Sequence, residues 1–366
     1  MTRPGALASV LAALAAASFP ACGPCEETIE VRHADGRLQC RGMLVEGVKT
    51  GLWTQWYPDG RKEIEGSFVR GERHGTWKTW YPSGAQRSVE RWSAGRLAGT
   101  STEFFEGAGP RSEGRYENGE RQGEWRTWFE SGALHSLVTW KDGRREGACV
   151  EFFEEGGKAS EGAFAVDERD GAWIEWYPGG GKLQAGRYAR GARQGLWRFW
   201  YENGELQAEG AFVDGQRDGP WTEWHATGLE RREGAWKAGR MEGCWTDWHE
   251  NGAILSEGAY RDGLQEGTWT SWHANGALDT RATFAAGELE GAAAKWFEDG
   301  RLQWQGAFAA RKRHGPWVQH YADGTKDFEG VFRDGLREGR WSFWLPDGQP
   351  DSARSGLYQG DRKVAD

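Results

Sequence analysis

Large aromatic residues and glycines alternate with charged residues along most of this chain, and they return at a fixed interval. Glycine recurs every 24 residues from Gly51 to Gly339 without an insertion or a deletion. A second glycine column runs from Gly60 to Gly348, and Ala108 is its one exception. Such self-similarity is typical of repeat architectures. The pattern therefore predicts thirteen equivalent units preceded by a partial one, rather than a set of ordinary domains.

Each unit contains two segments in which large and polar residues alternate, as in GLWRFWY (195–201) and ELQAEGAFV (205–213). Sequences such as YPDG and YENG between them predict a tight turn, and VRGERHG predicts a longer, glycine-containing loop. A helix is disfavoured, because each internal glycine would cost about 1 kcal/mol. The predicted fold is all-β: an elongated, single-layer antiparallel β-meander of about 13 stacked 24-residue hairpins.

A hairpin centred on residues 59–60 places Trp53 across from Gly66, and a four-residue second loop places Trp77 across from Gly66 on its other side. Phe68 similarly falls between Gly75 and the glycine 24 residues before it. An indole can lie flat over a bare glycine backbone and fill the place of the missing side chain. These positions are therefore predicted to be structural, and they form a thin sheet without a conventional core.

A second aromatic column has the opposite parity and is predicted to point to the other face of the sheet. In the same register its first member, Trp56, lies across from residue 63. Either the twist of the sheet buries this column, or it forms an exposed apolar surface for interaction. Its tryptophans are Trp56, Trp80, Trp128, Trp176, Trp200, Trp224, Trp248, Trp272, Trp296 and Trp344.

Three repeats lack the first tryptophan and carry Ser101, Cys149 and Ala293 in its place. Drift in a redundant array explains this, because the stability of a solenoid sums over neighbouring repeats. A bend or a docking notch at these repeats is the alternative interpretation.

The consensus G-x-W-x-x-W-Y-x-N-G-x-L-x-x-E-G-x-[FY]-x-x-G resembles the MORN repeat in its bacterial second variant. The resemblance covers about residues 29–358, with a leading half-repeat at 29–50 and repeats from 51 onward. It implies a MORN-like sheet of hairpins that acts as a scaffold or a binding surface. Many bacterial proteins with this variant are named YwqK-type antitoxins, which implies a partner protein rather than a chemistry.

The N-terminal residues 1–21 predict a secretory signal peptide, because one early charge precedes an Ala/Leu/Val run and small residues. Ala21-Cys22 resembles the end of a bacterial lipobox, so Cys22 is a candidate for lipidation and residues 22–28 for an anchor and linker. Cleavage near residues 15–17 is the alternative, and it leaves a soluble secreted or periplasmic chain. The sequence CGPC at 22–25 lacks the strand-to-helix context of a redox dithiol.

The remaining features bound the array and limit its chemistry. Cys25 and Cys40 flank the leading half-repeat and are candidates for a disulfide in an oxidising compartment. The charged tail at 359–366 is predicted to discourage pairing at the last edge. His225, His249 and His273 recur in the Tyr57 column, about 9.6 Å apart, which is too far for one metal ion to be shared.

The net charge of −9 and the lack of a visible basic stripe argue against nucleic acid as a partner. No catalytic constellation interrupts the repeat, so neither an enzyme nor a cofactor is predicted. We expect a non-enzymatic scaffold at the cell envelope that binds a protein and touches the membrane only through an N-terminal lipid. An antitoxin-like partner of a toxin, and a polysaccharide-binding protein with a tryptophan ladder, are the alternatives.

Overall fold

The computed structural model describes residues 25–366. The predicted signal peptide at 1–21 and the lipidation candidate Cys22 lie outside the described residues. The described chain forms two compact units, residues 25–120 and residues 121–366.

The first unit is a run of antiparallel hairpins in which every strand pairs with its neighbour in the sequence. Its strands are β1 (Glu26–Arg32), β2 (Leu38–Val45), β3 (Val48–Trp56), β4 (Lys62–Val69), β5 (Glu72–Trp80), β6 (Gln86–Ser93), β7 (Arg96–Phe104) and β8 (Pro110–Glu117).

The second unit continues the same pattern, and residues 25–366 contain no helix. The prediction of an all-β meander of consecutive hairpins is therefore confirmed. The strands are β9 (Glu120–Trp128), β10 (Leu134–Lys141), β11 (Arg144–Phe152), β12 (Lys158–Ala165), β13 (Glu168–Trp176), β14 (Lys182–Ala189), β15 (Ala192–Trp200), β16 (Leu206–Val213), β17 (Gln216–Trp224), β18 (Glu230–Lys237), β19 (Arg240–Trp248), β20 (Ile254–Arg261), β21 (Leu264–Trp272), β22 (Leu278–Ala285), β23 (Glu288–Trp296), β24 (Leu302–Ala309), β25 (Lys312–His320), β26 (Lys326–Arg333), β27 (Leu336–Phe343), β28 (Gly356–Gln359) and β29 (Arg362–Ala365).

The prediction of a tight turn first and a longer loop second in each repeat is wrong, because the first connection is the longer one. Tyr57 donates its backbone N–H to the carbonyl of Arg61 at 2.8 Å, which encloses a three-residue loop instead of a tight turn. The other connection is the tighter one, because Arg70 and Gly71 alone link β4 to β5 and both have positive φ, at 52° and 84°. This is the conformation of a type I′ hairpin turn, which favours Asn-Gly and Asp-Gly. Later repeats carry those dipeptides at 118–119, 142–143 and 214–215.

The predicted pairing of tryptophan with glycine is confirmed. Trp53 pairs with Gly66 across the hairpin. The indole of Trp77 lies over the same glycine from the next strand, because a Cβ built on Gly66 would lie 2.1 Å from its Cδ2 atom. The same close approach recurs at Gly42, Gly162, Gly186, Gly210, Gly234, Gly258, Gly306 and Gly330. Glycine is thus required because the ring occupies the space of a side chain.

Two details of the predicted register are wrong because each strand pair contains a β-bulge. Trp56 pairs with Lys62 instead of residue 63, since the register shifts after Gln55. Phe68 pairs with Arg73 instead of Gly75, since a second shift lies between Glu65 and Ser67. Gly75 has a φ of +73° and a Cβ built on it would meet no atom within 4 Å, so its role is conformational.

The stacked indoles are held by hydrogen bonds and by neighbouring rings. Trp197, which is 1% exposed, donates its Nε1–H to the carbonyl of Arg187 at 3.1 Å. Its ring meets Tyr188 edge-to-face at 4.9 Å and Phe212 at 6.2 Å between centroids. Edge-to-face contact suits the quadrupoles of aromatic rings, and the bonded N–H removes the cost of burying a polar group. The same N–H bond to a carbonyl on the preceding strand is made by Trp53, Trp77, Trp173, Trp245, Trp269, Trp317 and Trp341.

The three repeats without the first tryptophan are compensated on the facing strand. Glu90 pairs with Ser101, Val138 with Cys149, and Ala282 with Ala293, so each of these positions has a side chain where the other repeats have glycine. Ser101, Cys149 and Ala293 are all buried. A side chain on one strand therefore replaces the missing ring of the other, and nothing in this packing supports a notch.

Strand pairing extends further at both ends than predicted. β1 begins at Glu26, inside the predicted linker, and β29 lies in the predicted tail. Tyr358 pairs with Gly339 and takes the place of the missing Phe68 equivalent, with its ring 6.4 Å from that of Trp341.

The predicted disulfide between Cys25 and Cys40 is wrong. Cys40 pairs with Val31, whereas the Cys25 carbonyl accepts a bond from Glu46 at the far end of the same strand. Cys25 lies six residues before Val31, the partner of Cys40, and six residues of strand span about 20 Å. A disulfide needs Cα atoms within about 7 Å, and both thiols are free.

We expect Gly186→Ala to lower the free energy of unfolding by about 1–3 kcal/mol, because the new methyl group overlaps the Trp197 ring. Trp197→Ala should cost about 3–5 kcal/mol by itself. The double variant should cost less than the sum, since it reproduces the Ala282–Ala293 pair. Urea unfolding followed by circular dichroism measures all three.

Gly179→Ala is the matched control, because no atom lies within 4 Å of a Cβ at that position. Equal losses at Gly179 and Gly186, or full additivity of the double variant, would contradict stacking of the ring on bare backbone.

Candidate interaction faces

The strands present two faces, which differ in composition. The ring face carries Trp53, Gly66, Phe68 and their equivalents in other repeats. The opposite face carries Leu52, Trp56 and their equivalents, which have the other parity along the strand.

The ring face carries a column of basic residues, so the expectation that no basic stripe exists is wrong. Arg169 lies with its guanidinium 4.2 Å from the Trp173 ring, and Arg217 lies 4.2 Å from the Trp221 ring. The same position is basic in nine of the thirteen repeats, namely at Lys49, Arg73, Arg121, Arg145, Arg169, Arg193, Arg217, Arg313 and Arg337. The 24-residue period contained this signal, but the many acidic residues between the arginines obscure it in the net charge.

Acidic residues alternate with these arginines on the same face. Arg169 donates to Glu175 at 2.7 Å, and Arg217 lies 3.7 Å from Glu223. Glu223 also accepts a bond from Arg231 at 2.5 Å. Glu175 and Glu223 each accept a hydrogen bond from an arginine, as charged groups partly removed from water require.

Trp221 differs from the other stacked indoles. Its Nε1–H donates to the Glu223 carboxylate at 3.3 Å, whereas the equivalent groups donate to backbone carbonyls. A Cβ built on Gly210 would lie 1.9 Å from the Cε3 atom of the Trp221 ring, so this indole is flipped relative to those of the other repeats. A concavity of about 280 Å³ lies beside it, lined by Arg193, Phe199, Tyr201, Gln207, Ala208, Arg217, Trp221, Glu223 and Arg231.

The predicted interaction column lies on the opposite face, and its ten tryptophans are all half-buried. Lys62 marks this face, because it donates to Glu65 at 2.5 Å and lies 5.7 Å from the centroid of the Trp80 ring. Each of these rings is thus neither fully buried nor fully exposed.

Lysines lie over some members of this column and are absent beside others. Lys158, Lys182 and Lys326 lie 5.4–5.9 Å from the rings of Trp176, Trp200 and Trp344. Four successive members, Trp224, Trp248, Trp272 and Trp296, instead follow Leu206, Glu230, Ile254 and Leu278 at the lysine position. Small residues pair across the strands beside them: Pro220 with Ala235, Cys244 with Ala259, and Ala292 with Ala307. We call this surface, from Trp224 to Trp296, the smooth patch.

The three histidines of the Tyr57 column act as tyrosine does. Tyr201 donates its hydroxyl to the carbonyl of Trp224 at 2.8 Å, and the ring Nε2 of His225 makes the equivalent contact with Trp248 at 3.0 Å. His249 and His273 repeat this contact. Among residues 25–366, no three His, Cys, Asp or Glu side chains converge in a way that could hold a metal ion.

Three segments match the family model of the MORN repeat variant: residues 121–142, 193–214 and 241–262. Each begins at the basic-column position and spans one hairpin, β9–β10, β15–β16 and β19–β20. The chain contains MORN repeats. The resemblance inferred from the 24-residue consensus is thereby confirmed at these three hairpins, and the same columns of the 24-residue repeat extend through the neighbouring repeats.

Solved structures of low similarity also match this chain. Crystal structures of TcdB2-TccC3-Cdc42 and of TcdB2-TccC3 without its hypervariable C-terminal region are 10% and 9% identical, with TM-scores of 0.16 and 0.17. Each match covers 93% of this chain, but only 25% and 22% of the solved chains. The chain thus spans a quarter or less of their length, and likeness at this level carries no weight for fold or function. Among curated proteins, none matches.

No helix long and apolar enough to cross a membrane occurs in residues 25–366.

The cysteines differ strongly in accessibility. Cys149 is 1% exposed, and burial raises the pKa of its thiol to about 11. Cys244 is exposed on the smooth patch.

We expect a maleimide to label Cys244 near neutral pH and to leave Cys149 unlabelled until the chain is unfolded. The thiolate is the reactive form. At Cys149 the raised pKa keeps the thiol protonated near neutral pH, and burial blocks access of the reagent. Mass spectrometry of tryptic peptides distinguishes the sites. Labelling of Cys149 in folded protein at the rate of Cys244 would show that the ring face opens at this repeat.

Proposed function

We propose that this protein is a non-enzymatic binding scaffold, and that the smooth patch is where it holds a protein partner. The observation that carries the proposal is the run of four half-buried tryptophans without a covering lysine, from Trp224 to Trp296. Tryptophan is enriched among the residues that dominate binding energy at protein interfaces.

The surroundings of these rings favour a flat protein surface over a small ligand. The cross-strand pairs beside them are small side chains, which leave the backbone close to an approaching partner. Exposed apolar patches on soluble proteins commonly mark interaction sites. The regular strand pairing holds the patch rigid, so that binding would cost little conformational entropy.

We further propose that the scaffold works at the cell envelope, after export directed by residues 1–21 and lipidation of Cys22. The support is the apolar N-terminal run that ends in Ala21-Cys22. Mass spectrometry of the mature protein should find Cys22 at the N-terminus with a lipid mass. A mature chain that begins near residues 15–17 without lipid would instead support a soluble secreted or periplasmic protein.

We expect Trp248→Ala to abolish capture of the partner from envelope extracts while leaving the fold intact. The half-buried ring contributes contact surface, and its loss at an interface centre typically costs about 2 kcal/mol or more. Quantitative mass spectrometry of proteins retained by the wild-type and variant chains measures this effect.

Trp176→Ala is the matched control, because the same column position there is covered by Lys158. A protein lost with W248A but retained by W176A is the partner. If every captured protein is lost equally with both variants, or with neither, the smooth patch is not the binding surface. A toxin as the captured protein would make the chain an antitoxin-like partner, as the resemblance implies.

Polysaccharide binding is the second candidate, because partly exposed indoles can stack on sugar rings. Quenching of tryptophan fluorescence by a polysaccharide, lost with W248A and kept with W176A, would favour it over a protein partner.

A further inference from the structure

Five successive repeats of the second unit carry arginine at the basic-column position of the ring face. We call this run, Arg121, Arg145, Arg169, Arg193 and Arg217, the arginine track. Neighbouring members are two strands apart, about 9.6 Å along the sheet. Runs of this length are confined to the track, because Leu97 interrupts the column before it and Met241 ends it.

Aromatic rings fix the orientation of the guanidinium groups. Arg121 lies 4.2 Å from the Trp125 ring and 4.8 Å from the Trp140 ring. Arg193 lies 4.5 Å from the Trp197 ring. Contact with aromatic rings restricts the guanidinium group without using its N–H donors. The arginine side chains remain partly accessible, since those of Arg145, Arg169 and Arg217 are 39%, 34% and 38% exposed.

Beside the concavity, positive charge is least compensated at Arg193. The position that holds Glu175 beside Arg169 and Glu223 beside Arg217 holds Phe199 beside Arg193. Arg193 instead donates to the neutral Gln184 at 2.8 Å. Burial lowers the pKa of the Arg217 guanidinium, Glu223 opposes that shift, and Arg193 adds to it. The concavity beside Trp221 lies between these two arginines and Arg231.

We propose that the arginine track binds an extended acidic polypeptide segment with a carboxylate at every third residue. Such a segment in the polyproline II conformation repeats every three residues at about 3.1 Å each, so its carboxylates recur about every 9.3 Å. This interval nearly equals the spacing of the arginines, and guanidinium groups bind carboxylates through paired N–H donors. The concavity accommodates the side chain that reaches Arg193 and Arg217.

The acidic neighbours select for this sparse pattern. Glu151, Glu175 and Glu223 occupy one column of the ring face, two strands apart from Glu151 to Glu175 and four from Glu175 to Glu223, and lie between the arginines. A dense polyanion such as polyphosphate would place charges against them as well as against the arginines. Like charges opposed across an interface cost binding energy, whereas uncharged residues between the carboxylates would pass over the glutamates. The chain's net charge of −9 also opposes the approach of a dense polyanion.

This inference is independent of the smooth patch, which lies on the opposite face, so either proposal can fail alone. The probe is a fluorescently labelled peptide of repeated Pro-Ala-Glu triplets, and its anisotropy is followed as the full-length protein is added. A peptide with the same number of glutamates spaced every fourth residue, and a glutamine version, are the peptide controls.

We expect the double variant R193Q/R217Q to weaken binding of the triplet peptide by about tenfold, as expected for the loss of charged hydrogen bonds. Arg73→Gln is the matched control, because Arg73 stacks on Trp77 and Trp92 in the same way but lies outside the track. R73Q and W248A should bind the peptide as the wild type does. Added salt should weaken binding, because exposed charges are screened.

Several results would overturn the proposal: equal binding of the triplet and fourth-residue peptides, an equal loss with R73Q, or stronger binding of polyphosphate, of a single-stranded oligonucleotide or of anionic vesicles. If R193Q/R217Q unfolds, as judged by circular dichroism, R193K/R217K replaces it. That variant keeps the charge but loses the paired donors, so it should weaken binding by about threefold. Unchanged binding by R193K/R217K would equally contradict the proposal.

Discussion

The structure depends on one contact, an indole lying flat over a glycine of the neighbouring strand. A single layer of hairpins has no second layer against which to bury apolar side chains, so each strand must be covered from within the sheet. Trp197 does this for Gly186: the ring fills the space of the missing side chain, and its N–H bonds a carbonyl on the same strand. The contact therefore buries apolar surface and satisfies a polar group together. Glycine in a strand is ordinarily destabilising, but here it is the receptor for the ring.

The contact explains why the repeats vary in pairs rather than one position at a time. Losing a ring leaves a cavity, and gaining a side chain at the glycine creates an overlap, so each change alone is unfavourable. Together they offset one another, as in the pairs Val138–Cys149 and Ala282–Ala293. Glu90 goes further, because its carboxylate also accepts the Nε1–H of Trp92 at 3.0 Å. Since each repeat contacts mainly its neighbours, such a local exchange leaves the rest of the array unchanged.

The sequence predicted those features that are determined by period and parity, and it failed where local backbone geometry decides. The 24-residue period was sufficient to find the hairpins, the Trp53–Gly66 pair and the two faces. The bulges beside Trp56 and Phe68 could not be counted from the pattern, because an extra residue shifts pairing without disturbing the repeat. The turn lengths were exchanged although the Asp-Gly dipeptides of the tight turns were present, since YENG carries a similar signal. The arginine column was missed because the net charge averages over it.

The same contact also determines what the two faces can offer to a partner. On the ring face the stacked indoles are almost fully buried, so their apolar surface is already used and the accessible groups are the arginines above them, with Glu175 and Glu223 between. On the opposite face the strand alternation leaves Trp248 half-buried, with small side chains beside it. One face is therefore suited to recognition by charge and spacing, and the other to recognition by apolar contact.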